Sequence, residues 1–197
     1  MNKQEVIEYV KSLGGIETKD GWNVPNDVYL SDRKLTEIHI KFNIVQGSFY
    51  FRDNQLTSLK NCPNIVQGSF NCSNNQLTSL KYSPKEVKGS FFCSHNQLNS
   101  LKYSPKIVNG GFICNNNQLT SLKYSPKGIK GDFYCFNNQL TSLKYCSKIV
   151  NGYFACYNNQ LASLKYSPKG IFQDKDYYKL LLDEKVISES EYLLRIL

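Results

Sequence analysis

Ile65-Val66-Gln67-Gly68-Ser69-Phe70-Asn71-Cys72-Ser73-Asn74-Asn75-Gln76-Leu77-Thr78-Ser79-Leu80-Lys81-Tyr82-Ser83-Pro84-Lys85 is one rung of a repeat, and its reading decides the fold. Between Gly68 and Ser73 the pattern alternates, with Phe70 and Cys72 on one face and Ser69, Asn71 and Ser73 on the other. Period two is the signature of a strand. Leu77 and Leu80 continue the apolar column. Pro84 argues against a helix on the return side, so an extended path or a turn of 3₁₀ helix is expected there. The segment Asn-Gln-Leu-x-Ser-Leu-Lys recurs with Gln at 55, 76, 97, 118, 139 and 160, always 21 residues apart. A degenerate earlier rung places Leu35 one repeat before Leu56, with Val28 and Leu30 in the columns of Phe49 and Phe51. One rung cannot bury its Phe and both leucines alone, so stacking must supply the core. Seven rungs stacked as a parallel sheet, about 4.8 Å apart, span on the order of 30 Å.

Working outward, both ends leave the repeat. Val6, Val10 and Leu13 recur at helical spacing and predict an amino-terminal helical cap within 1–22. After the seven-rung solenoid of 23–173, Tyr177, Leu180 and Leu181 suit one short helix. Ser188-Glu189-Ser190-Glu191 reads as a capping box opening a second, which carries Leu193, Leu194 and Leu197. This makes 174–197 a carboxy-terminal helical cap. The chain has 197 residues and a formal charge of +8, but residues 23–173 alone carry seventeen basic and six acidic groups, a net +11. The positive charge therefore belongs to the repeats. No stretch approaches the roughly 18 apolar residues of a membrane span, and the charged amino terminus does not read as a signal peptide. The seven cysteines are odd in number and follow the repeat rather than a metal-ligand spacing. A soluble protein with free thiols in a reducing compartment is expected.

Phe112-x-Cys114-x-x-Asn117-x-Leu119 is similar to the leucine-rich-repeat core L-x-L-x-x-N-x-L. Asn117-Gln118-Leu119-Thr120-Ser121-Leu122-Lys123-Tyr124-Ser125-Pro126 resembles the short bacterial class whose rungs continue N-x-L-x-x-L-P. That class includes secreted bacterial effectors, some of them ubiquitin ligases, and similar arrays occur in bacterial and bacteriophage proteins. The resemblance covers about residues 23–173. It implies a leucine-rich-repeat-like solenoid with a parallel β-sheet on the concave face, mostly non-helical return segments and short helical caps at both ends. The rung departs from the class in having 21 residues rather than the roughly 20 usual there, and Lys stands for the first Pro. The ligases of the class carry a separate catalytic domain with a nucleophilic cysteine. Residues 174–197 contain no cysteine, so that activity does not carry over.

Columns of the repeat separate scaffold from surface. Cys72, Cys93, Cys114, Cys135 and Cys156 share a slot with Leu30 and Phe51, which marks it as apolar and buried. Cys62 and Cys146 share a slot for small residues with Ser83, Ser104, Ser125 and Ser167. Asn54, Asn75, Asn96, Asn117, Asn138 and Asn159 form an inward column that the family resemblance assigns to backbone hydrogen bonding at the strand exit. His39 and His95 lie in unrelated columns, and the six carboxylates of the repeats make no recurring pair. Neither a metal site, a cofactor site nor a catalytic constellation is read here, so an enzyme and a small-molecule substrate are not expected.

The outward strand column reads Tyr29, Tyr50, Asn71, Phe92, Ile113, Tyr134 and Ala155, flanked by Arg52, Phe136, Tyr153 and Tyr157. It varies while the scaffold does not, and exposed aromatics mark interaction surfaces. The expected partner-binding residues are Tyr29, Tyr50, Arg52, Phe92, Ile113, Tyr134, Phe136, Tyr153 and Tyr157, recognising a protein. Two lysine ladders, Lys81, Lys102, Lys123 and Lys144 with Lys85, Lys106, Lys127 and Lys148, carry Tyr82, Tyr103, Tyr124 and Tyr145 between them. They offer the alternative, an anion-binding surface for nucleic acid or an anionic surface; the competing reading is a solvated, solubilising flank. The function expected from the residues and the resemblance is a non-catalytic adaptor or inhibitor in the cytoplasm of a bacterium or an infected host cell, neutralising a host or competitor protein.

Overall fold

A computed structural model describes residues 1–172 of the chain, which form a parallel-sheet β-solenoid of about six turns. The elements in chain order are α1 (Lys3–Ser12), β1 (Ile16–Thr18), β2 (Gly21–Val24), β3 (Val28–Tyr29), β4 (Phe42–Val45), β5 (Phe49–Tyr50), β6 (Ile65–Val66) and β7 (Phe70–Asn71). They continue as β8 (Glu86–Val87), β9 (Phe91–Phe92), β10 (Phe112–Ile113), β11 (Phe133–Tyr134), β12 (Ile149–Ala155) and β13 (Lys169–Phe172). Strands β3, β5, β7, β9, β10, β11, β12 and β13 are neighbours in one sheet. The register is the 21-residue repeat itself, for example Phe70 opposite Phe91 and Phe112 opposite Phe133. From Val28 to Phe154 the chain advances six such steps. The degenerate first rung takes its place, with Val28 opposite Phe49.

The return side is more regular than the proline suggests. Strands β2, β4, β6 and β8 form a second parallel ladder, with β1 antiparallel at its edge. Single bridges Val87–Val108, Val108–Ile129 and Ile129–Val150 extend it along the stack. Each rung thus crosses the core twice in extended form. Pro84 and its equivalents sit in the corner before the second crossing, where a missing N–H costs no ladder bond.

Columns fill the interior without gaps in kind. Phe49, Phe70, Phe91, Phe112, Phe133 and Phe154 are fully buried, as are the leucine pairs from Leu56 and Leu59 to Leu119 and Leu122. Phe70, Phe91 and Phe112 stack with ring centroids 5.3 and 5.6 Å apart. The thiols of Cys72, Cys93, Cys114, Cys135 and Cys156 are buried and in no disulfide, as the shared slot with Leu30 and Phe51 requires. Burial pushes the Cys62, Cys72, Cys93, Cys114 and Cys146 thiols up from their ordinary range, because a thiolate would be stranded away from water.

The asparagine column meets its backbone assignment. Asn96 Oδ1 accepts from the Leu77 amide at 3.0 Å. Its Nδ2 donates to the carbonyls of Cys72, Cys93 and Ser94 at 3.0, 3.3 and 3.1 Å. One amide therefore ties four backbone groups of two rungs, and the pattern repeats at Asn75, Asn117 and Asn138. Beside it, Asp53, Asn74, His95, Asn116, Asn137 and Asn158 all turn the chain with φ between 50 and 56°. Asn, Asp and His are the side chains that tolerate this region best, which explains His95. The opposite corner is set by glycine. A Cβ on Gly89 would lie 2.7 Å from the backbone nitrogen of Ser69, so only glycine lets adjacent rungs close up there.

At the amino end, α1 opens on a capping box in which Asn2 and Glu5 exchange side-chain to backbone bonds. Val6 and Val10 are buried in the core and Leu13 packs against it. The Tyr9 hydroxyl accepts from the Tyr29 amide at 2.9 Å, at the edge of β3. The two carboxy-terminal helices expected within 174–197 lie outside the described residues.

Candidate functional site

Outward side chains on the first sheet occupy three columns, because strand residues alternate and rungs stack in register. The central column runs Tyr29, Tyr50, Asn71, Phe92, Ile113, Tyr134 and Ala155, each opposite the next. Its exposure differs from the expectation. Tyr29, at the end of the stack, is 53% exposed, whereas Tyr50, Phe92, Ile113 and Tyr134 are half-buried and Ala155 is buried. Side chains one rung apart shield each other, and Ala155 is too short to rise above its neighbours.

Aromatic character on this face gathers at two ends. Tyr29 and Tyr50 stack with centroids 5.2 Å apart. Arg52 stands beside them, exposed, with its Nε 3.3 Å from the Asp53 carboxylate. At the other end Tyr134 meets Phe136 at 6.0 Å, and Phe136 stacks on Tyr157 at 4.4 Å, with Tyr153 exposed nearby on β12. Between the ends, Ser73 and Ser94 occupy the Arg52–Phe136 column and bond to each other through their hydroxyls at 3.0 Å. Asn71, Phe92 and Ile113 lie between the two clusters in the central column. Two carboxylates sharpen the ends: the Tyr29 hydroxyl donates to Asp27 at 2.8 Å and the Tyr134 hydroxyl to Asp132 at 3.3 Å. The bond to Asp27 raises the Tyr29 phenol above its usual value, because it holds the proton. The other oxygen of each carboxylate accepts a backbone amide of the next rung, Ser48 and Tyr153 respectively.

On the flank, the structure places the lysine ladders as their columns predict, and adds apolar surface that the columns did not show. Lys81, Lys102, Lys123 and Lys144 each set Nζ 5.0 to 5.2 Å from the ring centre of the following tyrosine. Tyr82, Tyr103, Tyr124 and Tyr145 are about half exposed, at 51, 49, 51 and 54%. All four hold φ between 72 and 74°, where Asn61 stands one rung earlier at 73°. Left-handed backbone is unfavourable for a tyrosine by roughly 1–2 kcal/mol and much less so for asparagine. Lys85, Lys106, Lys127 and Lys148 are exposed. Among the described residues no ladder lysine lies within ion-pair distance of a carboxylate.

Ile107 and Ile149, 61 and 60% exposed, were missed by the columns that drew attention to the strand face. They are the outward partners of Val108 and Val150 on the return ladder. The signal was available in each Ile-Val pair, one residue of which must face out once the segment is a strand. Grooves of about 770 and 930 Å³ run along this flank. The larger is lined by Tyr103, Lys106, Ile107, Tyr124, Lys127 and Gly128, among others.

Among the described residues, no three His, Cys, Asp or Glu side chains converge as metal ligands, and no helix is long and apolar enough to cross a membrane. Compared with known proteins, the chain matches no family model, no curated sequence and no solved structure.

Proposed function

We propose that the chain is a non-catalytic binding module that recognises a protein partner on the outward face of its first sheet. The observation that carries this reading is the division of labour within the rung. Inward columns repeat almost without change, while the strand face alters from rung to rung and ends in two aromatic clusters. Tyrosine and phenylalanine bury large area at low entropic cost, so clusters of them on a rigid sheet suit recognition. The same reading assigns the rungs to a leucine-rich-repeat-like architecture, with α1 as the amino-terminal cap. Following the resemblance to bacterial and bacteriophage arrays, the module acts as an adaptor or as an inhibitor that neutralises a host or competitor protein.

The test is capture from extract of the native cell, comparing the wild-type chain with a Tyr50→Ser, Phe92→Ser, Tyr134→Ser variant. A partner retained by the wild type in high salt and lost by the variant is the expected result. A partner that the variant retains with unchanged affinity contradicts the assignment of the strand face.

A further inference from the structure

Four features of the flank coincide in the larger groove and lie apart from the strand face. First, the column that runs Ile44, Ile65, Glu86, Ile107, Gly128 and Ile149 loses its side chain altogether at Gly128. A Cβ on Gly128 would meet nothing within 4 Å, so this glycine is not required by packing. Its missing side chain opens a slot between Ile107 and Ile149. Second, Tyr103 and Tyr124 border the groove with rings about half exposed. They stand at left-handed positions that asparagine would occupy with less strain. Third, Lys106, Lys127 and Lys130 line the same groove, and among the described residues no carboxylate lines it. Fourth, Asn109 and Asn151 supply side-chain amides at its wall, each with donor and acceptor capacity.

The flank is also repetitive. Lys-Tyr-Ser-Pro-Lys returns at 81–85, 102–106, 123–127 and 165–169. A surface that presents the same charge and ring at every step is matched by a ligand that repeats at every step. An acidic protein face does not repeat in this way, whereas the phosphodiester backbone does. Aromatic platforms beside a lysine track are the recognition chemistry of unpaired bases, since every base offers a face for stacking. A duplex hides those faces, and a polyphosphate or anionic glycan has none.

We propose that this groove binds single-stranded nucleic acid. The phosphates follow Lys106, Lys127 and Lys130, an unpaired base enters the slot over Gly128 between Ile107 and Ile149, and the neighbouring bases rest on Tyr103 and Tyr124. The amides of Asn109 and Asn151 face the edge of the inserted base. This surface is separate from the one assigned to the protein partner, so either assignment can fail alone.

Fluorescence anisotropy of the full chain with a labelled oligo(dT) or oligo(U) of about 16 nucleotides, the upper range for such tracks, tests the proposal. Gly128→Ile fills the slot with the residue found elsewhere in the column and should keep the fold. It is expected to weaken binding by about tenfold or more, the loss of one stacked base. Tyr103→Asn with Tyr124→Asn should do the same, using the residue natural to that corner. Lys106→Gln, Lys127→Gln, Lys130→Gln should lower the slope of log affinity against log salt by about 2, at roughly 0.7 per lost phosphate contact. The strand-face variant Tyr50→Ser, Phe92→Ser, Tyr134→Ser should bind the oligonucleotide as the wild type does. The proposal is overturned by absence of binding at low salt, or by equal affinity for a duplex of the same length. It also falls if poly-glutamate or polyphosphate binds more tightly, or if only the lysine substitutions matter.

Discussion

Along the strand face the central column changes at almost every rung, from Tyr29 through Asn71 and Ile113 to Ala155. Along the flank the same rungs repeat lysine, tyrosine and backbone angle almost unchanged. Both surfaces hang on one set of buried columns, so the difference does not come from the fold. A surface that varies suits a partner of one shape, while a surface that repeats suits a ligand that repeats. The flank also carries local cost, because each tyrosine holds a conformation that asparagine adopts more readily. The strand face carries none, since aromatic and β-branched residues fit extended backbone.

The comparison can be broken first at the core both faces share. Raising the pH should do this most severely. The buried thiols of Cys62, Cys72, Cys93, Cys114 and Cys146 ionise with difficulty when folded, while unfolded thiols ionise near their ordinary 9.0. Their contribution is therefore fully present below pH 9 and is lost as the pH rises beyond it, at about 1.4 kcal/mol per thiol per pH unit. Urea unfolding at pH 8 and pH 10 should show a fall of several kcal/mol, and equal midpoints contradict thiol burial.

A local break of the same core is Asn96→Ala, which orphans the buried Leu77 amide, while the carbonyls of Cys72, Cys93 and Ser94 each keep a second donor in Asn75, Asn117 and the Asn74 amide. It should cost about 1–3 kcal/mol in urea unfolding, the penalty of one unsatisfied buried amide. Cys114→Ser tests the neighbouring slot. A hydroxyl there should cost about 1–3 kcal/mol, and Cys114→Val should cost less because the slot accepts Leu30 and Phe51. The smallest effect sharpens the contrast between the faces. Tyr103→Asn should leave stability unchanged or raise it by up to about 1 kcal/mol, whereas Tyr50→Asn on the strand face should lower it slightly. A marked loss from Tyr103→Asn would mean that the flank ring is part of the packing.

The 21-residue period made the first sheet legible, because every buried column recurs without insertion. The Asn and Cys columns were legible for the same reason, and Leu30 and Phe51 showed that the thiol slot asks for volume rather than sulfur. The return ladder was not. Its strands Ile65–Val66 and Glu86–Val87 are two residues long, too short for alternation to register, and each follows a corner with proline. With that ladder unseen, nothing gave Ile107 and Ile149 an outward direction or placed Gly128 in their column. The clustering of strand-face aromatics at the two ends also depends on stacking, since Phe136 and Tyr157 become neighbours only across a rung. Shielding within a column explains why Phe92 and Tyr134 are half-buried when alternation alone points them at solvent.

The most direct test of two separate faces on one scaffold is a pair of titrations read on three proteins: the wild type, the Tyr50→Ser, Phe92→Ser, Tyr134→Ser variant, and Gly128→Ile. Each is titrated with the captured protein partner and with the labelled oligonucleotide. The strand-face variant should lose the partner and keep the oligonucleotide, and Gly128→Ile should do the reverse. Equal loss of both ligands in either folded variant, or retention of the partner by the strand-face variant, contradicts the account.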